Sequence, residues 1–138
     1  MALTVEDRLD LADLVSRYNH AIDHWDAEGW AATFTPDGAL IANGQVRAQG
    51  TEVLTEYVAV RRRNQKPRLR HWTTNLLIEG EGDRATLRLY VAAFDIADGL
   101  EAPYVMGEYQ DDAVRIDGKW LFETRRMTVI AGKSATGA

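Results

Sequence analysis

The chain has 138 residues and a formal net charge of −5, and 46% of its residues are hydrophobic and 27% charged. This length suits one globular domain with a hydrophobic core, so we expect a single domain at 1–132 and a short, flexible tail at 133–138. The acidic balance argues against a nucleic-acid surface, which would need a dominant basic face. Because the chain contains no cysteine, disulfides, thiolate nucleophiles and thiolate metal sites are excluded.

Charged residues follow closely after Met1, and no run of about 18 apolar residues occurs later in the chain. We therefore expect no signal peptide, no membrane span and a cytoplasmic location. A basic cluster at 61–70 is interpreted as a solvated helix end and loop. Binding of an anionic substrate tail is its alternative interpretation.

Two helices are predicted in the first quarter of the chain. Thr4 caps the first, whose apolar residues recur every three or four positions and form one buried stripe. The stripe comprises Val5, Leu9, Ala12, Val15, Tyr18, Ile22 and Trp25. Asp26 is an N-cap for a second, shorter helix, which carries Trp30 and Phe34 inward before a turn at 35–38.

The remaining pattern predicts a hairpin, a third helix and four long strands. Strands at 39–42 and 45–49 flank Asn43-Gly44, a typical hairpin turn. A third helix begins at Gly50-Thr51 and stops within 64–67. Long strands follow at 70–79, 84–97, 103–116 and 119–130. Three helices followed by long strands indicate an α+β domain.

The predicted strand at 84–97 is apolar on both faces. Leu87, Leu89 and Val91 alternate with Tyr90 and other apolar residues. One of the two faces therefore needs a cover other than the helices, and a second subunit is the simplest one. We expect a homodimer or homotrimer.

Several short motifs together resemble a known family. They are Tyr18-Asn-His-Ala-Ile-Asp23, Asp26, Trp30, Phe34, Asp37-Gly38, His71 to Asn75 and Asp117-Gly118-Lys-Trp120. With them the chain resembles the SnoaL-like family of the nuclear transport factor 2-like superfamily, from about Val5 to Val129. The resemblance implies a cone-shaped α+β barrel, in which a long N-terminal helix and two shorter helices pack in a strongly curved, mixed but mostly antiparallel sheet around a deep, mostly apolar pocket.

The spacing of Tyr18, Asp23 and His71 is similar to that in bile-acid dehydratases. The Asp23 and His71 part also resembles hexachlorocyclohexane dehydrochlorinase and, more loosely, scytalone dehydratase. The resemblance implies that His71 abstracts a proton, that Asp23 orients and charge-balances the imidazole, and that Tyr18 contacts the substrate oxygen or leaving group.

Elementary chemistry agrees with this assignment for His71 and Asp23, because a carboxylate that orients an imidazole makes it a better general base. A core histidine bonded to a backbone carbonyl is the alternative for His71. Tyr18 and Asp23 lie about 140° apart on an ideal helix. One of the two can therefore face away from the pocket.

Strand alternation supplies further candidate substrate-binding residues. Asn75 is expected on the same face as His71. On the last strand, the inward face of Trp120 extends to Arg126, which is the expected pocket cation, and Arg125 is the alternative because one bulge would exchange the two. The candidate aromatic lining consists of Trp30, Tyr57, Phe94 and Tyr109.

These residues lead to the hypothesis of a lyase or isomerase, similar to a dehydratase, dehydrochlorinase or cyclase, acting on a small apolar cyclic or polycyclic molecule. It would need no cofactor and no metal. The second tyrosine of the dehydratases is missing, since residues 40–42 are Leu-Ile-Ala, and the second histidine of the scytalone-type site has no counterpart on the strand at 84–97. The alternatives are a ketosteroid-isomerase-like enzyme, for which Asp95 and Glu108 offer no clear match, and a non-catalytic ligand-binding or assembly domain.

Overall fold

The computed structural model describes residues 1–133. Apart from Lys133, the tail expected at 133–138 lies outside the described residues. Within the described part, no helix is long and apolar enough to cross a membrane.

The described chain forms three helices and six strands in the order α-α-β-β-α-β-β-β-β. The helices are α1 (Val5–Asp23), α2 (Ala27–Ala31) and α3 (Thr51–Asn64). The strands are β1 (Phe34–Ala42), β2 (Gln45–Gln49), β3 (Leu69–Glu81), β4 (Arg84–Asp95), β5 (Val105–Ile116) and β6 (Lys119–Ala131).

A capping box starts α1. The Thr4 side chain accepts a hydrogen bond from the Asp7 backbone N–H, and the Asp7 carboxylate accepts one from the Thr4 backbone N–H. The Trp120 indole also donates to Asp7, so the first turn is covered on the Asp7 side. The expectation that Val5 and Leu9 belong to the buried stripe is therefore wrong, because they are 75% and 63% exposed.

The second helix is shorter than the sequence predicts. It ends at Ala31, and Phe34 is the first residue of β1 rather than the last inward residue of α2. Phe34 is still buried, but it reaches the core from the sheet, where it pairs with Phe122 of β6. Parallel pairing with β6 supplies hydrogen-bond partners for the backbone at the start of β1. The sequence did not predict a strand there because residues 35–38 are typical of a turn.

The six strands form one mixed sheet in the order β2-β1-β6-β5-β4-β3. The β1–β6 pair is parallel and all other neighbouring pairs are antiparallel. Helix α1 packs against β3 and β6, across one face of the sheet. The predicted α+β cone is confirmed, although the sheet is not closed, because β2 and β3 are its two edges.

Strand β4 shows how the sheet divides the apolar residues between two faces. Leu87, Leu89 and Val91 lie on the inner face and are buried. Tyr90 points the other way and is 51% exposed. We call the face that carries Tyr90 the outer face.

Candidate functional site

His71 and Asp23 are joined by two hydrogen bonds. The Nδ1 atom of His71 lies 2.6 Å from Oδ1 of Asp23, and the His71 backbone N–H donates to Oδ2 of Asp23 at 2.9 Å. Their side chains are only 3% and 7% exposed. Two residues that are distant in the sequence thus form one buried carboxylate–imidazole pair between α1 and β3.

The ends of two elements position this pair. Asp23 is the last residue of α1, and Arg70 donates to its backbone carbonyl at 3.3 Å. His71 is the third residue of β3 and pairs across the sheet with Ala93. One oxygen of the Asp23 carboxylate bonds to the ring of His71 and the other to its backbone N–H. These two bonds fix the orientation of the imidazole relative to Asp23.

This arrangement selects one tautomer of the imidazole. An ionised carboxylate only accepts hydrogen bonds, so Nδ1 of His71 carries the hydrogen and Nε2 has a free lone pair. No hydrogen bond within residues 1–133 involves Nε2. The pair can therefore accept a proton at Nε2.

A second bridge, which the sequence analysis missed, runs beside the first. Nδ2 of Asn19, on α1, donates to Oγ1 of Thr73, on β3, at 3.1 Å. Asn19 is 8% exposed, and its Oδ1 atom is buried without a partner. The available signal was spacing, because Asn19 precedes Asp23 by one helical turn and Thr73 follows His71 by one strand repeat.

Tyr18 lies in an aromatic cluster on the inner face of the sheet and is 2% exposed. Its ring centroid is 5.4 Å from that of Trp30 and 6.2 Å from that of Tyr109. Burial raises the pKa of the Tyr18 hydroxyl well above its ordinary value. Tyr18 thus presents a neutral hydroxyl in the interior and packs toward β5 and β6, whereas Asp23 bonds to β3.

The inward cation is Arg125, and the expectation that Arg126 faces the interior is wrong. Arg125 is fully buried and donates to Asp111 at 3.1 Å, while the Arg126 side chain is 47% exposed and pairs with Asp112. The pairing register shifts between Asp112 and Ala113 and leaves one extra residue, Glu123, in β6. Such a bulge reverses the alternation beyond it.

Asp111 is a buried acid that the sequence analysis did not select. Burial raises its pKa from 3.8 to about 7, although the Arg125 guanidinium acts in the opposite direction. That guanidinium also lies 3.5 Å from the ring centroid of Tyr109 and 4.2 Å from that of Tyr18. Asp111 lies two residues from both Tyr109 and Ala113, so strand alternation places all three on the inner face. This alternation could have identified Asp111 from the sequence.

Two further expected contacts lie away from His71. Asn75 is exposed, with a φ of 59°, at a second register shift between Thr74 and Leu77, so its predicted place beside His71 is wrong. Phe94 lies on the outer face, where its ring centroid is 5.0 Å from that of Trp72. The expectation that Phe94 lines the interior is therefore also wrong, because β4 alternates regularly and Ala93 takes the inward position.

The remaining aromatic candidates do lie on the inner side. Trp30 is fully buried and stacks on half-buried Tyr57 with centroids 5.3 Å apart. The guanidinium of Arg61 lies over the Tyr57 ring, 4.0 Å from its centroid. Tyr109 is buried against Arg125.

His71 is not among the lining residues of three concave regions formed by residues 1–133. One, of about 320 Å³, lies between α1, α2 and the β5–β6 turn. The other two, of about 550 and 600 Å³, lie on the outer face of the sheet around Tyr90 and Glu108. Among residues 1–133, no group of three or more His, Asp or Glu residues could hold a metal ion.

The three helices and the six-stranded mixed sheet define an α+β cone of the cystatin-like type, a fold that solved structures share. A protein of unknown function from Nostoc punctiforme with a cystatin-like fold is 29% identical, with a TM-score of 0.82 and coverage of 94% of this chain and 96% of that one. A protein of unknown function from Mycobacterium tuberculosis is 34% identical, with a TM-score of 0.78 and coverage of 90% and 72%. ActVI-ORFA from Streptomyces coelicolor shares the fold at 24% identity, with a TM-score of 0.74 and coverage of 88% and 96%.

Residues 3–126 match the sequence profile of the SnoaL-like domain. The chain therefore belongs to the SnoaL-like family, as its motifs predicted. Comparison with curated protein sequences yields no match.

Proposed function

We propose that this protein is a cofactor-independent lyase or isomerase in which His71 removes a proton from a small cyclic substrate. The observation that carries the proposal is the double hydrogen bond between Asp23 and His71. It fixes the tautomer that leaves Nε2 free and places a negative charge beside the ring that becomes positive. The family and its fold support a small-molecule site of this kind.

In the proposed reaction, Nε2 of His71 takes a proton from carbon, and the electron pair of the broken C–H bond stays with the substrate. In an elimination, that pair forms a double bond as halide leaves, or as a hydroxyl group leaves as water after the His71 imidazolium returns the proton to it. In an isomerisation, the proton returns to another carbon. Asp23 stabilises the imidazolium in both cases, and the low exposure of the pair strengthens this charge interaction.

Arg125 and Tyr18 are the proposed groups for the negative charge that develops on the substrate. The guanidinium and the neutral Tyr18 hydroxyl are both buried on the inner face, and fixed donors in a dry site are a large source of rate enhancement. The ketosteroid-isomerase-like alternative needs an inward carboxylate that is free to act as a base. Glu108 is exposed on the outer face, and the inward Asp111 is held by Arg125.

Hydrogen–deuterium exchange tests the base without knowledge of the natural substrate. The probe is β-tetralone, a bicyclic ketone with an acidic methylene group, followed by NMR in deuterated buffer. Wild-type protein should accelerate the exchange, and His71→Gln should lower the acceleration by about 10²- to 10⁴-fold, the usual contribution of a positioned base. Asp23→Asn should lower it less, because the imidazole itself remains.

His24→Gln is the matched control, because His24 is an exposed histidine of the same region. Equal exchange rates in the wild type, His71→Gln and His24→Gln proteins would contradict the proposal. Binding of the ketone without any acceleration would instead support the non-catalytic ligand-binding domain.

We also propose that a second copy of the chain covers the outer face, as a homodimer or homotrimer. Trp72, Tyr90 and Ile130 are 58%, 51% and 55% exposed, and with Met106 they line the concave region of about 600 Å³. An exposed apolar surface of this extent is typical of an interface. No membrane or nucleic-acid partner is needed to explain it.

Native mass spectrometry tests this assembly. Wild-type protein should give dimers or trimers, and Tyr90→Glu should shift them to monomers because it places a charge in the apolar contact. Val5→Glu is the control, since Val5 is also an exposed apolar residue but lies on α1. A wild-type monomer, or equal effects of the two substitutions, would contradict the proposal.

A further inference from the structure

We infer that Asn19 is a specificity-determining residue of the His71 site, whose Oδ1 atom accepts a hydrogen bond from a hydroxyl group of the substrate. This inference rests on the proposed function and adds a substrate class to it. The substrate would be a hydroxylated cyclic molecule, not a purely apolar one.

The two bridges between α1 and β3 form a regular pair. Asn19 and Asp23 are four residues apart, which corresponds to about 6 Å along a helix. Thr73 and His71 are two residues apart, which corresponds to about 7 Å along a strand. Because the two spacings nearly match, the Asn19–Thr73 and Asp23–His71 bonds span the same gap side by side.

Only one of the two polar atoms of the Asn19 amide takes part in this bridge. Its NH2 group donates to Thr73, while Oδ1 is buried and has no hydrogen-bond partner among residues 1–133. Leaving a buried acceptor unpaired is unfavourable, and such groups are rare in native proteins. A ligand that donates a hydrogen bond to Oδ1 would remove this cost.

The chemistry of the free atom defines the group that it recognises. A carbonyl oxygen accepts hydrogen bonds, so the ligand must offer an O–H or N–H donor. A hydroxyl is the donor that fits a substrate for proton abstraction without adding a charge to the dry interior. The two bridges are about 6 Å apart along α1, and we take the same separation between this hydroxyl and the carbon that loses its proton to His71.

Two related ketones test the inference. The first is β-tetralone, and the second is its analogue with a phenolic hydroxyl para to the ring carbon that bears the acidic methylene, at about the separation the bridges require. Dissociation constants are measured by calorimetry. We expect wild-type protein to bind the hydroxylated ketone about tenfold more tightly, which corresponds to about 1.4 kcal/mol.

Asn19→Leu should reduce this ratio to about one, because leucine has a similar size and no acceptor. Asn19→Ala serves the same purpose if leucine prevents folding. Thr73→Val is the matched control. It breaks the same bridge while Oδ1 of Asn19 remains, so the preference for the hydroxylated ketone should persist.

Equal affinities of the wild type for the two ketones would overturn the inference and would mean that Oδ1 holds only a buried water. Equal loss of the preference in Asn19→Leu and Thr73→Val would also overturn it, since the bridge alone would then be responsible. Failure of the proposed function is distinguishable. In that case deuterium exchange is absent although the hydroxylated ketone still binds more tightly.

Discussion

Replacing Arg125 with methionine removes a buried charge and keeps a flexible apolar chain in its place. In the native protein the guanidinium pairs with Asp111, and both side chains are completely buried. Methionine can still pack against Tyr18 and Tyr109, but it offers no partner to the carboxylate. The variant therefore isolates the consequence of an unpaired buried acid.

The expected loss in the free energy of unfolding is about 3–5 kcal/mol, the usual cost of removing one partner of a buried ion pair. The same two strands provide a matched control. Arg126 pairs with Asp112 at 2.9 Å, but their side chains are 47% and 40% exposed. Arg126→Met should therefore cost no more than about 1 kcal/mol, since water already solvates that pair.

Urea denaturation of the two variants and the wild type measures both losses. Adding Asp111→Leu to Arg125→Met should recover part of the stability, because the buried acid is then absent. If Arg125→Met costs no more than Arg126→Met, burial does not control the strength of these pairs and the reasoning fails.

Three further predictions concern pH, a strand irregularity and a helix start. Burial raises the folded-state pKa of Asp111 from 3.8 to about 7. Its contribution to the free energy of unfolding is therefore complete below about pH 4 and is lost as the pH rises toward 7. In urea denaturation over a pH series, Asp111→Asn should abolish this loss of stability between about pH 4 and pH 7. At Asn75, where φ is 59°, Asn75→Val should cost about 1–2 kcal/mol while Asn75→Gly stays near neutral, because only valine is strained in the left-handed region; equal urea midpoints for the two variants would refute this. Thr4→Ala should lower the free energy of unfolding by about 1 kcal/mol through loss of the helix cap. Asp7→Ala should lower it further, because the Trp120 indole also loses its acceptor. Thermal unfolding of the two variants measures both losses.

The site illustrates what sequence patterns can and cannot predict. The spacing of Asp23 and His71 was sufficient to select both residues, and the structure places them 2.6 Å apart at their nearest side-chain atoms. Strand alternation failed for Arg126 and Asn75. Each lies beyond or at a register shift, and one extra residue in a strand turns every later side chain to the opposite face.

Asn19 and Asp111 were missed for a different reason. Each is a polar residue that sequence alone assigns equally well to solvent, and their importance comes from burial. Whether a polar side chain is buried depends on what other elements pack over it, which no local pattern records. Asn19 is covered by β3, and Asp111 is held by Arg125 across two strands.

The sequence by itself determined the element types, their order and the family, because capping residues, turn residues and apolar periodicity act locally. It also selected Asp23 and His71, through a spacing that resembles that of known dehydratases. Only the tertiary structure decided which arginine faces inward, where β1 begins and which amide bridges α1 to β3. Those outcomes depend on bulges, on parallel pairing between β1 and β6, and on the contact of α1 with β3, all of which arise from residues far apart in the chain.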